Sequence, residues 1–377
     1  MTYSWEALRA EFPVTRELCY LDHAAVAPLP LAATKRIGQY CDELLAHGAA
    51  FYPGKVGKTL VKARLLAAEL LGTKPERIFM VRSTTQGLAI AATGIPVRAG
   101  DNVVLVDREF PANIRPWLPL EGRGVEVRFV PQRDGRVLVD DVARAVDAKT
   151  AAVSVSFVQF LSGFRVELSR LAEICRRHDA LLVVDAIQGL GVLPLDVEKD
   201  GVDFLAADSH KWLLGPEGAG LGYVSPRAFE RIAPSVEGWL AQADPYDMLN
   251  PRQPLKADAG RYEEGAHNLV GIHGMVGSLE LLRSIGQSVI AERLLELTDY
   301  LVDALRRRGF TVLSPRDQPH EKSGIVLATR ANLNTDGLRK RLLDRKIVLS
   351  VRGGGVRLSP HVYNTAEELD LAVAALE

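Results

Sequence analysis

Cysteine is scarce in this sequence. Cys19, Cys41 and Cys175 are the only three among 377 residues, and none has the close spacing of a zinc site or of a redox CxxC motif. This spacing argues against a disulfide-stapled domain, and we expect no metal site. Chains without disulfides are typical of reducing compartments, so the sequence predicts a cytoplasmic protein.

An excess of charge of either sign is also missing. The 46 Lys and Arg residues nearly balance the 47 Asp and Glu residues, which argues against a nucleic-acid partner and against an acidic tail. No apolar run approaches the roughly 18 residues of a membrane helix. The first residues, MTYSWEALRAEFP, lack the apolar stretch of a signal peptide. We therefore expect a soluble protein with no nucleic-acid or membrane partner.

Apolar residues, in contrast, make up 47% of the chain, enough for a large core, and the length suggests two or three domains. Short β-forming runs alternate with helical patterns such as 60–72 and 168–178. The predicted strands are 77–81, 102–107, 125–131, 151–158, 181–187, 203–209 and 220–226. Several are continuously apolar, which is typical of strands buried on both faces. The alternation predicts an α/β fold with a mostly parallel, seven-stranded sheet, and the last two strands predict a hairpin-like edge.

The pattern changes after residue 226. The stretch 237–272 is rich in Pro, Gly and polar residues and predicts a long irregular connection. A helical pattern then runs from about His273 to Arg308, and strand and helix patterns follow in a smaller α+β unit. We predict an N-terminal segment, 1–20, that packs with the small domain, a large domain, 21–255, and a small C-terminal domain, 256–377.

Ligands of open α/β sheets bind beyond the carboxyl ends of the strands, where this sequence has unusual polar residues. Asp185 ends the apolar run LLVVD, and a buried carboxylate there is costly unless it is paired. Gln188 follows it, and Lys211 lies 26 residues downstream among apolar neighbours. This arrangement is that of a pyridoxal phosphate site, in which an Asp pairs with the pyridine nitrogen and a desolvated lysine forms the Schiff base.

The segments VVDAIQG and SHKWLLGPEG resemble the class V aminotransferase family of fold-type I pyridoxal phosphate enzymes. That family includes cysteine desulfurases, selenocysteine lyases, isopenicillin N epimerase-like proteins and, more distantly, kynureninases. The resemblance extends from YLDHAAVAPLP, residues 20–30, to RLSPHVYNTAEELD, residues 357–370. It implies a fold-type I large domain, a pyridoxal 5'-phosphate cofactor, an amino-acid substrate and a homodimer with the active site at the subunit interface.

The resemblance also implies roles for individual residues. Lys211 would hold the cofactor and carry the proton at the substrate Cα, and Asp185 would hold the pyridine nitrogen. Gln188 would bond the phenolic oxygen of the ring. The remaining implied contacts are Thr84, Thr85, Ser209 and His210 with the phosphate, Phe110 stacked on the ring, Gln159 near the ring oxygen, and His23 near the substrate mouth.

The sequence departs from the family at three places. Phe110 stands where desulfurases have a histidine, so this position cannot move a proton. The C-terminal segment VRGGGVRLSPHVYNT lacks the desulfurase loop with its nucleophilic cysteine, which disfavours a persulfide-type desulfurase. Arg357 remains as the predicted clamp for the substrate carboxylate, whereas Arg352 is expected to lie at the surface. Ala266 replaces a threonine that reaches the phosphate of the neighbouring subunit in the family.

Several reactions stay open. The residues fit a transaminase or a C–S lyase that acts on an amino acid through Lys211, and they also fit an amino-acid epimerase or a kynureninase-like hydrolase. A non-catalytic protein that retains the fold is a further alternative, although the retention of Lys211 and Asp185 argues against it.

Overall fold

The protein is described here by a computed structural model of residues 4–376, without the side chains of residues 51–56. Residues 1–3 and 377 of the predicted domain ranges lie outside the described residues. The strands are β1 (Cys19–Tyr20), β2 (Ile78–Val81), β3 (Asn102–Val106), β4 (Glu126–Val130), β5 (Gln132–Arg133), β6 (Arg136–Val137), β7 (Thr150–Ser156), β8 (Leu181–Asp185), β9 (Phe204–Asp208), β10 (Gly220–Val224), β11 (Thr311–Val312), β12 (Val326–Thr329), β13 (Ile347–Val348), β14 (Ser350–Arg352) and β15 (Gly355–Leu358). The helices are α1 (Trp5–Arg9), α2 (Leu31–His47), α3 (Tyr52–Leu71), α4 (Thr84–Gly94), α5 (Val139–Ala145), α6 (Leu168–Arg177), α7 (Pro226–Phe229), α8 (Leu269–Ile285), α9 (Gln287–Arg307), α10 (Leu338–Asp344) and α11 (Ala366–Ala374). None of these helices is long and apolar enough to span a membrane.

The central sheet has seven strands in the order β2-β10-β9-β8-β7-β3-β4, which confirms the predicted α/β fold. The five strands from β9 to β4 pair in parallel. Strand β10 is antiparallel to both of its neighbours, so β2 points in the same direction as the other five. Six carboxyl ends therefore lie at one edge of the sheet.

The predicted hairpin-like edge at β9 and β10 is only half correct. These two strands do pair antiparallel, but β2 covers the other side of β10, so β10 lies inside the sheet. The close approach requires a glycine, because a Cβ at Gly222 would come within 2.2 Å of the Phe79 ring on β2. The pairing joins segments about 140 residues apart in the chain, which local sequence patterns cannot reveal.

The continuously apolar strands bury side chains on both faces of the sheet, as predicted. On β8, Leu182 and Val184 belong to one apolar cluster, whereas Leu181 and Val183 belong to the cluster on the opposite face. This division follows from the two-residue period of a strand. Helices and short 3-10 turns cover both faces, so the sheet is a rigid base for the residues at its carboxyl edge.

The C-terminal part has its own four-stranded sheet, in the order β11-β12-β15-β14. The predicted helical region is interrupted at Gly286, whose φ of 93° ends α8 before α9 begins. Helix α8 begins at Leu269, four residues before the predicted start, and it packs on the core of the large domain together with α2 and α3. We therefore propose that the small domain begins within α9 rather than at residue 256.

The N-terminal segment contacts the small domain. Strand β1 pairs in parallel with β13, and Arg9 forms an ion pair with Glu368 at 2.7 Å. These contacts support the proposal that residues 1–20 pack with the small domain.

Candidate active site

A cavity of about 370 Å³ opens where the carboxyl ends of the parallel strands meet the small domain. Its wall is built from the segments that follow β2, β3, β7, β8 and β9 and from two arginines of β14 and β15. The predicted site residues that line it are Thr84, Thr85, Phe110, Asp185, Gln188, His210, Lys211 and Arg357. The fold therefore brings together residues that lie up to 273 positions apart in the chain.

Lys211 is 7% exposed and points its amine into this cavity. Burial lowers the pKa of Lys211 to about 8, because desolvation disfavours the ammonium form. The Asp185 carboxylate opposes this shift, whereas the positive charges of Arg357 and Arg352 add to it. The environment therefore produces a neutral, nucleophilic amine at a pH where ordinary lysines are charged.

We expect Lys211 in the cofactor-free protein to react with formaldehyde and cyanoborohydride far faster than ordinary lysines at pH 7.5. The reactive species is the neutral amine, whose share rises as the pH passes through about 8 at Lys211 but only near pH 10.4 at an ordinary lysine. The share at Lys211 should be roughly a hundredfold larger. Time-resolved peptide mapping checks this. Lys199, whose pKa is raised by its bond with Asp196, is the internal control, and equal rates at the two lysines would contradict the expectation.

Asp185 lies at the end of β8 and is almost fully buried. One carboxylate oxygen accepts a hydrogen bond from the backbone N–H of Ile187 at 3.0 Å. Burial raises the pKa of Asp185 to about 7, and the nearby carboxylate of Glu109 adds to the rise. A cation in the cavity would relieve this cost, so Asp185 is poised to pair with a positive group of a ligand.

The first turn of α4 supplies donors at another wall of the cavity. Ser83 caps the helix by accepting a hydrogen bond from the N–H of Gln86 at 3.1 Å. Thr84 and Thr85 line the cavity beside it, and the Thr84 hydroxyl oxygen accepts a bond from the N–H of Asp208. Hydroxyls and backbone N–H groups at a helix N-terminus form an anion site.

Two aromatic rings form the apolar side of the cavity. Phe110 and Phe160 meet edge to face with their centroids 5.5 Å apart. The Lys211 amine lies 5.3 Å from the centroid of the Phe110 ring. Phe110 is 40% exposed, so part of its ring is open to the cavity beside the amine.

Arg357 and Arg352 line the cavity from neighbouring strands of the small domain. Arg357 is fully buried, donates to the backbone oxygen of Phe160 at 2.8 Å, and lies 3.4 Å from Asp22. The Nε of each arginine is buried without a hydrogen-bond partner. The expectation that Arg352 lies at the surface is wrong, since the short turn after it directs its side chain inward. Two unpaired donors of this kind suit an anionic ligand.

Three predicted site residues do not line the cavity. His23 is buried behind Ala24 and Ala25, and its ring nitrogens bond the Ser359 backbone oxygen and the Tyr363 hydroxyl at 2.9 and 2.7 Å. Gln159 and Ser209 also bond other parts of the protein. The Gln159 amide donates to Glu109 and accepts from Gln132, and the Ser209 hydroxyl donates to the Pro216 backbone oxygen. Their hydrogen-bonding groups are thus held by the protein itself.

Sequence reasoning missed Glu109 and Asp208. Glu109 is buried beside Phe110, where it accepts bonds from the N–H and hydroxyl of Ser156 at 2.7 and 2.6 Å. Asp208 lines the cavity, and its carboxylate lies 3.0 Å from Nδ1 of His210. Each acid lies next to a predicted site residue in the sequence, and that adjacency is the signal that could have revealed it.

Comparison with known proteins shows the family to which the chain belongs. The sequence model of the family described as "Aminotransferase class-V" matches residues 19–371. A probable cysteine desulfurase from Methanothermobacter thermautotrophicus is 29% identical, over 99% of this chain and 97% of that protein. A cysteine desulfurase from Klebsiella pneumoniae subsp. pneumoniae is 31% identical, over 100% of this chain and 98% of that protein.

Solved structures show the same fold. A cysteine desulfurase from Thermococcus onnurineus superposes with a TM-score of 0.88 at 23% identity, covering 99% of this chain and 97% of that one. A cystine C–S lyase, solved with its reaction product cysteine persulfide, superposes with a TM-score of 0.87 at 23% identity, covering 97% and 98%. The family match spans nearly the whole chain, and the protein belongs to the class V aminotransferase family of pyridoxal phosphate-dependent enzymes.

Proposed function

We propose that the protein is a pyridoxal phosphate-dependent C–S lyase that acts on an amino acid with sulfur at Cβ. One observation carries the proposal: a single cavity holds the desolvated Lys211 amine, the buried Asp185 carboxylate and two arginines with unpartnered Nε atoms, yet no cysteine. These are the groups needed to hold the cofactor and an amino-acid carboxylate, without a sulfur acceptor.

The residues present fit pyridoxal phosphate. Asp185 would face the protonated ring nitrogen, and Thr84, Thr85 and the free N–H groups of α4 would hold the phosphate. Phe110 would cover one face of the ring. Gln188 also lines the cavity and would bond the ring oxygen. When bound, this cofactor supplies an aldehyde carbon for an amine and an electron sink for charge developed at Cα.

Lys211 is the group that moves the proton. Its neutral Nζ accepts the proton from the substrate Cα and holds it next to the Phe110 ring, which excludes water and cannot take the proton itself. A thiolate is a good enough leaving group to depart without an acid. The net reaction converts an S-substituted cysteine and one water into a free thiol, pyruvate and ammonia, so no oxidant or reductant is needed.

Arg357 and Arg352 would orient the substrate through its α-carboxylate. Arg357→Ala is expected to weaken amino-acid binding by roughly ten- to a hundredfold, since a hydrogen-bonded charge pair in a partly dry cavity contributes about 1.5–3 kcal/mol. Cofactor affinity should change much less. Titration of the cofactor's visible absorbance band with a slow substrate measures the first quantity, and dialysis of the loaded protein measures the second.

Two further variants separate binding from packing. Arg352→Ala is expected to have a smaller effect, because its side chain is less buried. Asp22→Asn removes the carboxylate that lies 3.4 Å from Arg357 but keeps both arginines, so it reports on the loss of support alone. If Arg357→Ala binds the amino acid like the parent, or if Arg352→Ala is the more damaging change, the assignment is wrong.

Persulfide transfer to an enzyme cysteine is disfavoured by the positions of the cysteines. Cys19 and Cys175 are buried away from the cavity, and Cys41 is exposed on α2. Burial raises the pKa of both Cys19 and Cys175 to about 12, which keeps them as unreactive thiols. The structurally similar cystine C–S lyase has cysteine persulfide as its reported product. In that enzyme the extra sulfur is therefore part of the product.

A screen of S-substituted cysteines and ordinary amino acids with the cofactor-loaded protein tests the proposal. Release of a thiol together with pyruvate supports the lyase. A 2-oxo acid that keeps the substrate side chain would identify a transaminase instead, and inversion at Cα without other change would identify an epimerase. The absence of any visible absorbance band after cofactor addition would favour the non-catalytic alternative.

We also propose that the enzyme is a cytoplasmic homodimer. Large apolar side chains are exposed on the connection before α8, with Leu249 96%, Tyr246 79% and Met248 70% exposed, and such patches are typical of protein interfaces. Ala266, where the family has a cross-subunit threonine, is also exposed. Sedimentation at micromolar concentration tests the dimer.

Three unpaired cysteines support the proposal of a reducing, cytoplasmic compartment.

A further inference from the structure

A second cavity of about 530 Å³ lies beside the candidate active site, between the large-domain sheet and the small domain. Four arginines and two aspartates line it: Arg108, Arg136, Arg306, Arg316, Asp134 and Asp317. Nothing in the proposed chemistry uses this cavity, so its position and charge require a separate explanation.

The two cavities share a wall. Phe110, Phe160 and Arg352 line the active-site cavity. Leu161, which follows Phe160, and Gly353, which follows Arg352, line the second one. Arg108 lies two residues before Phe110, and two residues span at most about 7 Å. A group attached to the substrate side chain would have to pass only this wall to reach the second cavity from the Lys211 amine.

The turn between Arg352 and Arg357 forms part of the wall between the two cavities. Gly353 and Gly354 adopt left-handed φ values of 63° and 73°, which lets β14 return directly into β15. A Cβ at Gly353 would lie 2.9 Å from a methyl carbon of Leu161. The turn thus packs directly against Leu161 in this wall.

Two arginines of the second cavity are held by no carboxylate. Arg136 bonds Glu321 and Asp317, and Arg316 bonds Asp299, so these two arginines are neutralised. No ion pair engages Arg108 or Arg306 among the residues that the structure describes, and both are exposed. Their guanidinium groups are therefore free to bind an anion of a ligand.

Arg108 is also held in an unfavourable backbone conformation. Its φ is 53°, in the left-handed region that non-glycine residues seldom adopt. Strain of this kind persists only where the surrounding structure enforces it, and it is frequent in binding sites. Here it fixes the arginine at the carboxyl end of β3, at the rim of the shared wall.

We propose that the second cavity is a specificity subsite for an acidic group at the far end of the substrate side chain, and that Arg108 and Arg306 bind this group. The substrate class would then be cysteine S-conjugates whose sulfur substituent ends in a carboxylate. This inference rests on the proposed lyase function, which it deepens by naming the substrate.

The test compares two isosteric substrates, S-(2-carboxyethyl)-L-cysteine and S-(2-carbamoylethyl)-L-cysteine, with the cofactor-loaded enzyme. The acid should have the higher kcat/KM, mainly through a lower KM. Exposed ion pairs are weak, so Arg108→Gln and Arg306→Gln should each lower the acid-to-amide ratio about three- to fivefold, and the double variant about tenfold. Raising the salt concentration should lower the ratio in the parent enzyme.

Arg98→Gln is the matched control, because Arg98 is an exposed arginine before the opposite end of β3. It should leave the ratio unchanged. A parent enzyme that cleaves both substrates equally, or a ratio that survives the double variant, overturns the subsite while the lyase function stands. Failure to cleave any S-substituted cysteine overturns the proposed function, and the subsite inference with it.

Discussion

Replacing Lys211 by alanine is expected to lower turnover of the cofactor-loaded enzyme by roughly 10²- to 10⁴-fold, the range typical of losing a proton-transferring group. Among the described residues, Lys211 is the one lysine that lines the active-site cavity, so no neighbouring amine can replace it. The cofactor should also be lost on dialysis, because its covalent attachment is gone. Steady-state thiol release and the absorbance of the dialysed protein measure the two effects.

Lys199→Ala is the control for this change. Lys199 is exposed and bonds Asp196 at 2.7 Å, far from any cavity wall that the mechanism uses. Its loss should leave both turnover and cofactor retention intact. A Lys211→Ala enzyme that keeps turnover within tenfold of the parent would show that another group carries the proton.

The second large effect is expected at Asp185. Asp185→Asn keeps the shape of the side chain and removes its charge, which leaves a protonated ring nitrogen without its buried partner. Breaking a buried charge pair costs about 3–5 kcal/mol, which corresponds to roughly a hundredfold to several thousandfold. We expect this loss in kcat/KM, measured with the cofactor at saturation.

Thermal unfolding separates this role from a structural one. Burial raises the pKa of Asp185 to about 7, above the value near 3.9 of an unfolded chain. In the cofactor-free protein, ionisation of Asp185 above pH 7 therefore lowers the free energy of unfolding. This loss is absent below the pKa that Asp185 has in the unfolded chain. Asn removes it, so the Tm of the cofactor-free variant at pH 8 should equal or exceed that of the parent.

Asp203→Asn provides the opposite pattern. Asp203 lies before β9, where its carboxylate accepts bonds from the Leu182 N–H, the Ser225 hydroxyl and Arg227. Its replacement should lower the Tm and leave kcat/KM per folded molecule unchanged. If Asp185→Asn instead lowers the Tm and retains activity, Asp185 is a structural residue and the ring-nitrogen assignment fails.

The strands of the sheet could be predicted because the sequence pattern that identifies each strand is local. Continuous apolar runs such as LLVVD and FLAAD identify strands buried on both faces, and each was found within two residues at either end. The interior position of β10 was missed because its pairing with β2 depends on a distant segment. The boundary of the small domain is not a local feature either: α8 is helical by its own pattern, but packing against α2 and α3 decides which core it joins.

In the candidate site, too, features with a local sequence pattern were predicted, and features that depend on distant contacts were not. Lys211 and Asp185 were predicted from motifs whose apolar neighbours already imply burial. The directions of His23 and Gln159 were not predictable, since they depend on bonds to Ser359 and Tyr363, and to Glu109, from other parts of the chain. Arg352 was misread as a surface residue because the turn that follows it directs the side chain inward.

Locating the lysine that holds the cofactor is the decisive test of the proposed active site. The protein is incubated with pyridoxal phosphate at pH 8, reduced with borohydride, digested and mapped by mass spectrometry. We expect one stoichiometric pyridoxyl label, on Lys211 in the peptide that contains SHKWLLGPEG, and no such label in Lys211→Ala. A stoichiometric label on any other lysine, or none above the background of surface lysines, would contradict it.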